Sequence, residues 1–540
     1  MFLKAGALSL ALLLLSRVLG LVRESVLAAT FGASGLGDVA VLMLTLPDWG
    51  AGVLAGGALA YVLLPHWAKQ TPAQQAATQR TVAIWLLVGG LGLGLGLVLC
   101  RAVLTSWLAA GVPTPLQPEA QAGLVWAAVS LPAALLASLG VTRLQHERDF
   151  TGMYGANLVV NGVVIGALLL MAWLAVPQAT AGRVTELGLA LCAAMGLRLL
   201  WLHWRARQPL RPGAELGLAP DHADADAAKA MPGPVHQTHS AADLPPAALW
   251  VWAALAAGLP LTLPFAARSL ASGEGEGALA TFNYAWKLVE LPLMLAIQLV
   301  ASLAFPALTR AMLPLNGAEQ GQVQAALTLE ARQLVRSALA LAWTLACAAT
   351  LALQVGGRAI TELLFGWGRM DADALARVAD WGRVGAWGLL PQALIAVAVT
   401  VLAAQSRLRA AVAAYAGALA ILLLCGGQGM SGQQLMGLLN LLLGGVALLL
   451  LWAMLQRGPA AGADVARPSG WAGVTSVLCW PAMLAPLALL LAGTVAVHRL
   501  GAGILQQKGI SALVLSALSA IGVIAITALL SPALRRALRR

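Results

Sequence analysis

From Ala410 to Gln456 the chain runs for 47 residues without a charged side chain. A helix that crosses a bilayer needs about 20 mostly apolar residues, so this stretch is long enough for two. The polar, glycine-rich break Gly426 to Gln434 supplies the turn between them. Such a stretch constrains the fold more than any other feature, because lipid leaves no water to satisfy open backbone groups. Only helices or closed barrels span it, and runs of this length are helical.

The same pattern recurs along the chain. Apolar runs lie near 5–30, 36–66, 80–108, 120–143, 150–176, 184–203, 247–271, 278–309, 330–355, 380–404, 409–425, 433–456, 472–497 and 509–531. This reading gives an all-α polytopic membrane protein with about fourteen transmembrane helices. Composition agrees: 60% of residues are hydrophobic and 10% charged, whereas a soluble domain carries roughly 25% charged residues. The first apolar run contains Arg17 and Arg23 and lacks a small-residue cleavage site, so it reads as a retained span.

The net charge of +11 would suggest nucleic acid in a soluble domain, but the bases sit in short segments between apolar runs. With fourteen spans, 20 Lys and Arg fall in the even-numbered loops and the two ends, and 7 in the odd-numbered loops. Positive charge is retained on the cytoplasmic side. Both termini are therefore expected in the cytoplasm, with no nucleic-acid partner. The longest polar segment, about 204–246, holds His222, His236 and His239 among Asp221, Asp224 and Asp226. It is rich in Ala and Pro and reads as a linker rather than a metal site. The five cysteines are scattered through apolar runs, which gives neither a disulfide framework nor a zinc pattern.

Chemistry is carried by the charges within the spans, each costing roughly 2.5–3.5 kcal/mol at mid-bilayer. They include Arg17, Arg23 and Glu24 in the first span, Asp38 in the second, and Lys287 with Glu290 in the eighth. Arg17 and Glu24 share a helix face, and Lys287 and Glu290 are spaced to pair. A net-positive intramembrane site suits an anionic substrate. Nucleophile-elbow (GxSxG), HExxH zinc and Walker patterns are missing, so the chain reads as a transporter and not an enzyme. Gly90 to Gly96 alternates glycine and leucine within an apolar run, which points to close helix packing and not to a nucleotide loop.

The run Ser16-Arg-Val-Leu-Gly-Leu-Val-Arg-Glu24, followed by Phe31-Gly-Ala33, Asp38 and Leu46-Pro47, resembles the opening of the MurJ/MviN family, lipid II flippases of the MOP exporter superfamily. The likeness continues at Leu144-Gln-His-Glu-Arg-Asp-Phe150 and at Tyr284-Ala-Trp-Lys-Leu-Val-Glu-Leu-Pro292 with Phe305-Pro-Ala-Leu308. It also covers Leu363-Leu-Phe-Gly-Trp-Gly-Arg-Met370. The resemblance implies fourteen helices in two lobes around a central cationic cavity. It implies an N-terminal lobe over 1–205, a cytoplasmic linker over 206–246, a second lobe over 247–460, and helices 13 and 14 over 461–540 forming a groove for a lipid tail. The implied substrate is lipid II or a related polyprenyl-pyrophosphate glycan, with cell-wall synthesis proteins as further partners. The implied location is the bacterial inner membrane. The site residues carried over are Arg17, Arg23, Asp38, Lys287 and Glu290.

Three departures stand out. Family members carry Arg and Glu after the Leu-Pro of span two, where this chain reads Asp48-Trp-Gly-Ala-Gly-Val-Leu-Ala-Gly-Gly57. Lys287 stands where arginine is usual, which keeps the charge but loses the bidentate fork. The polar residues that hold sodium in some members are not evident in spans seven and eleven. No cofactor is therefore expected, and drive comes from membrane potential or an ion gradient. The alternatives are a flippase for another undecaprenyl-linked oligosaccharide, of exopolysaccharide or O-antigen type, and a multidrug or solute antiporter.

Overall fold

The computed structural model describes residues 2–174, 182–208, 244–290, 292–293, 320–404, 407–455, 480–499, 509–531 and 535. The three linker histidines, Cys479 and the Phe305 motif lie outside them. Every described element is helical. In chain order these are α1 (Phe2–Phe31), α2 (Gly35–Val53), α3 (Leu59–Trp67), α4 (Pro72–Leu99), α5 (Arg101–Leu108), α6 (Gln117–His146), α7 (Phe150–Trp173) and α8 (Arg183–Arg207). They continue as α9 (Ala247–Ala271), α10 (278–290), α11 (Gln320–Phe365), α12 (Ala372–Ala386), α13 (Leu389–Ala404), α14 (Arg409–Gly426), α15 (Gly432–Leu455), α16 (Trp480–Arg499) and α17 (Ile510–Leu530).

Among the described residues, eleven helices are long and apolar enough to cross a membrane, or twelve if the bent pair α12 and α13 counts as one span. The expected count of about fourteen is not confirmed from the described residues alone, since 294–319 and 456–479 lie outside them. The run at 5–30 is one continuous helix, although Arg17, Arg23 and Glu24 interrupt its apolar character. The run at 278–309 is described only as far as residue 293.

Several expected spans take a more broken form. The run at 36–66 divides into α2 and α3 across a wide turn at Leu54–Ala58, where Gly57 leaves helical geometry. The run at 80–108 ends as a straight helix at Leu99, and α5 starts anew at Arg101. The run at 380–404 bends by 47° between α12 and α13. At that bend a Cβ on Gly388 would lie 2.3 Å from Asn440 Oδ1, while Asn440 donates its amide to Val384 O at 2.7 Å. Gly388 sits at this break and Pro391, which has no N–H for the helical ladder, follows it, so the break falls where a kink is expected. Helix α11 is 46 residues long, about 70 Å at 1.5 Å per residue, and so outreaches the bilayer.

Exposure identifies the surrounding solvent. Only 17% of the apolar window of α4 is buried, and the same holds for α17. Leu91, Leu93, Leu95 and Leu99 are each more than half exposed. An apolar surface on that scale belongs in lipid.

The chain divides into two compact units. The first comprises Met1–Arg23, Met43–Arg101 and Ala122–Gly258; the second comprises Glu24–Leu42, Ala102–Gln121 and Leu259–Arg540. The boundary therefore falls within helices, and the turn between α1 and α2 belongs with the later half of the chain. In the first unit, Leu59, Leu63, Trp67, Val82 and Leu139 form a core. There the alternating glycines pack α4 on α6: a Cβ at Gly90 would lie 2.8 Å from Pro132 Cα, and one at Gly94 2.9 Å from Ala128 O, while Gly92 and Gly96 face open space. Small residues at i and i+4 let two backbones approach closely. In the second unit, α11 packs on α16 and α17 through Cys347, Leu351, Val355, Leu490, Val497 and Val523. Ser516 Oγ donates to Ala352 O at 2.8 Å across that contact.

Candidate functional site

The second unit contains a junction of helix ends that positions α10. Asp38, in the first turn of α2, is fully buried. Its Oδ2 accepts Gly277 N–H at 2.8 Å and its Oδ1 accepts Ala280 N–H at 2.7 Å. The first N–H groups of a helix have no partner within it, and a carboxylate there satisfies them and meets the positive end of the dipole. Glu276 returns the arrangement, its Oε1 accepting Gly35 N–H at the start of α2 at 2.9 Å. The two helices therefore cap each other across more than 230 residues of sequence.

Glycines make the junction tight. Gly277 has φ +76°, and a Cβ there would lie 2.1 Å from Ala33 O. Gly368 has φ +63°, and a Cβ there would lie 2.2 Å from Ala29 O. Arg369 N–H then donates to Ala29 O at 3.0 Å. The Phe31-Gly, Asp38 and Gly-Trp-Gly-Arg motifs thus meet at one structural knot.

Helix α10 carries Asn283, Lys287 and Glu290 at i, i+4 and i+7, on one face. Lys287 Nζ donates to Glu290 Oε2 at 2.6 Å. Asn283 bridges two charges: its Nδ2 donates to Glu24 Oε2 at 2.9 Å, and its Oδ1 accepts from Arg268 at 2.6 Å. Glu24 and Asn283 are buried, and Arg268 stacks over Phe265 at 5.2 Å. Two cations and two anions on three helices are linked by charge-assisted bonds, the form in which charge is tolerated away from water.

The first unit carries the other cluster. Arg23 pairs with Asp48 Oδ2 at 3.0 Å, with side chains 12% and 38% exposed. Arg17 is exposed. Arg198 of α8 donates to Asn157 Oδ1 at 3.3 Å. One turn beyond Asn157, Asn161 donates to Ser16 O at 3.4 Å and ties α7 to α1 just before Arg17.

Of the five residues singled out in the sequence, Lys287 and Glu290 form the expected pair. Asp38 forms no ion pair among the described residues: both of its oxygens are taken by backbone amides. Glu24 is buried while Arg17, on the same face of α1, is exposed. Sequence reasoning missed Asn283, Asn157 and the use of Asp48 as the partner of Arg23. The available signal was Asn within apolar helices, one in α10 and two in α7 (Asn157 and Asn161), because an amide in that setting needs a polar partner.

The fold and these sunken charges define a polytopic helical membrane protein. The family described as "Lipid II flippase MurJ" matches residues 27–498, and the chain belongs to that family. A solved structure titled "Lipid II flippase MurJ, inward closed conformation" is similar with a TM-score of 0.69 at 13% identity, covering 97% of this chain and 98% of that one. An inward-facing multidrug resistance MATE family transporter of the MOP superfamily is similar with a TM-score of 0.56 at 13% identity, covering 81% and 92%. No curated protein matches the sequence.

Proposed function

We propose that this chain moves a polyprenyl-pyrophosphate-linked glycan precursor, lipid II for peptidoglycan synthesis, from the cytoplasmic to the periplasmic leaflet of a bacterial inner membrane by alternating access. The family match over 27–498 carries this reading. The intramembrane charges supply its chemistry. Arg17, Arg23 and Lys287 bind the pyrophosphate, since a diphosphate leaving water needs charge-assisted donors to replace its hydration. Asp48 and Glu290 hold Arg23 and Lys287 while the site is empty. Asp38 acts through α10, setting the helix that presents Lys287. The lipid tail stays in the bilayer along α16 and α17, whose Leu484, Leu491, Leu518 and Ile521 are exposed. Both termini lie in the cytoplasm. Membrane potential or an ion gradient gives direction, with no bound cofactor, and cell-wall synthesis proteins take up the product.

The test is rescue of a bacterial strain depleted of its own lipid II flippase. The wild-type chain restores growth and shape. Arg23→Ala, expressed to the same level in the membrane, does not. Full rescue by Arg23→Ala removes the cationic site from the mechanism, and failure of the wild-type chain to rescue removes lipid II as the cargo.

A further inference from the structure

Helix α7 has a packed side and an open side. Asn161, Val164 and Leu168 are buried, and Gly162, Gly166, Leu169 and Trp173 are exposed around the opposite face, where lipid lies. Asn157 stands four residues before Asn161 and shares its side of the helix, yet it is exposed. The packed side therefore opens at Asn157, and the amide there is turned away from lipid. Its one hydrogen bond among the described residues is with Arg198 of α8, whose Nη2 donates to Asn157 Oδ1 at 3.3 Å. Arg198 is 6% exposed, and its Nε is buried with no hydrogen-bond partner among the described residues. A guanidinium only donates, so the amide turns Oδ1 towards Arg198 and its two N–H groups away from it, towards the opening. One turn further along, Asn161 ties α7 to α1 at Ser16 O, beside the exposed Arg17.

We infer that Asn157 is a further headgroup-binding residue: its amide N–H groups donate to an anionic oxygen of the diphosphate, and Arg198, buried behind it, is the positioning residue that aims and strengthens them. The inference rests on the proposed reading of the first unit's cations as ligands of an anionic headgroup. A cation sunk among helices keeps its field, because little solvent screens it. Hydrogen-bonded to Asn157 Oδ1, it polarises the amide and makes the N–H groups stronger donors. An anion gains from such donors, and a cation is repelled by the charge behind them. Arg198 is sealed at Nε and turns Nη2 to Asn157, so its charge reaches the opening through the amide. A neutral tip of this kind needs no counter-ion of its own while the site is empty.

The test measures binding of inorganic pyrophosphate to the full chain in nanodiscs by titration calorimetry, with the thermal midpoint of each variant alongside. Asn157→Ala weakens binding about tenfold, the loss of one charge-assisted hydrogen bond, and leaves the midpoint unchanged because the side chain is exposed. Asn157→Asp gives Arg198 a carboxylate: the midpoint holds or rises while binding is lost, a split that a structural role does not produce. Arg198→Gln weakens binding about tenfold in the wild-type background and less than about twofold in Asn157→Ala, because its charge acts through the amide. Unchanged binding in both Asn157 variants overturns the inference. A loss of binding in Asn157→Ala matched by a fall in the midpoint overturns it in favour of structure. An equal loss from Arg198→Gln in both backgrounds overturns it in favour of direct contact by Arg198. If Arg198→Gln fails to fold, the two Asn157 variants decide alone. Arg23→Gln separates the two levels. Binding lost in Arg23→Gln and kept in Asn157→Ala sinks this inference alone. Binding kept in Arg23→Gln and lost in Asn157→Ala sinks the role of Arg23 and leaves Asn157 as an anion ligand.

Discussion

Replacing Asp38 by Ala removes the acceptor of two backbone N–H groups at a site with no solvent exposure. Hydrogen bonds to charged groups contribute about 1.5–3 kcal/mol each, so the pair is worth about 3–6 kcal/mol to the start of α10. The vacated donors lose their acceptor, and the positive end of the helix dipole loses its counter-charge. At about 1.4 kcal/mol per decade, local opening becomes roughly 10² to 10⁴ times more frequent. Amide hydrogen exchange reads this directly, because Gly277 and Ala280 are themselves the donors. Peptides covering 277–281 should lose two to four decades of protection, while peptides in α4 and α7 should not change. Asp38→Asn keeps one acceptor and should lose about half as much. Transport falls as well, because Lys287 and Glu290 ride on α10. The reasoning is refuted if Asp38→Ala stops transport with protection at 277–281 intact, since the carboxylate would then act on the cargo and not on the helix.

Two further substitutions probe the scaffold. Gly277→Ala forces a Cβ to within 2.1 Å of Ala33 O at φ +76°. Strain of about 1–3 kcal/mol from the dihedral alone, with the clash added, should lower the thermal midpoint and expose the same 277–281 amides. Asp149→Ala removes the cap on α7, accepted from Gly152 N–H at 3.0 Å, and the two-point clamp on Arg205 of α8 at 2.5 and 3.1 Å. Loss of the cap is worth about 1 kcal/mol, and loss of the largely buried ion pair adds to that. The expected result is a lower unfolding midpoint with transport per folded molecule unchanged; lost transport at full stability would place Asp149 in the site.

The motifs most legible in the sequence divide by what they do. Ser16 to Glu24 marks charges, and those charges anchor both clusters. Asp38, Gly368 and Asp149 were equally conspicuous, yet each holds helix ends together. A buried carboxylate in an apolar run looks the same in sequence whether its partner is a substrate cation or a backbone amide 239 residues away.

The sequence by itself determined the class of protein, because apolar runs with so few charges between them have no stable state in water, and lipid accepts them only as helices. It also determined which cations must be accommodated within those helices. Only the tertiary structure decided which anion meets which partner: Asp48 with Arg23, Asn283 between Glu24 and Arg268, and Asp38 with two backbone amides. Helical periodicity places residues on a face, but the partner comes from another helix, and the helix ends that set its height are themselves fixed by long-range caps. Charge pairing falls off over a few ångströms, so a displacement by one turn, about 5.4 Å, exchanges one partner for another.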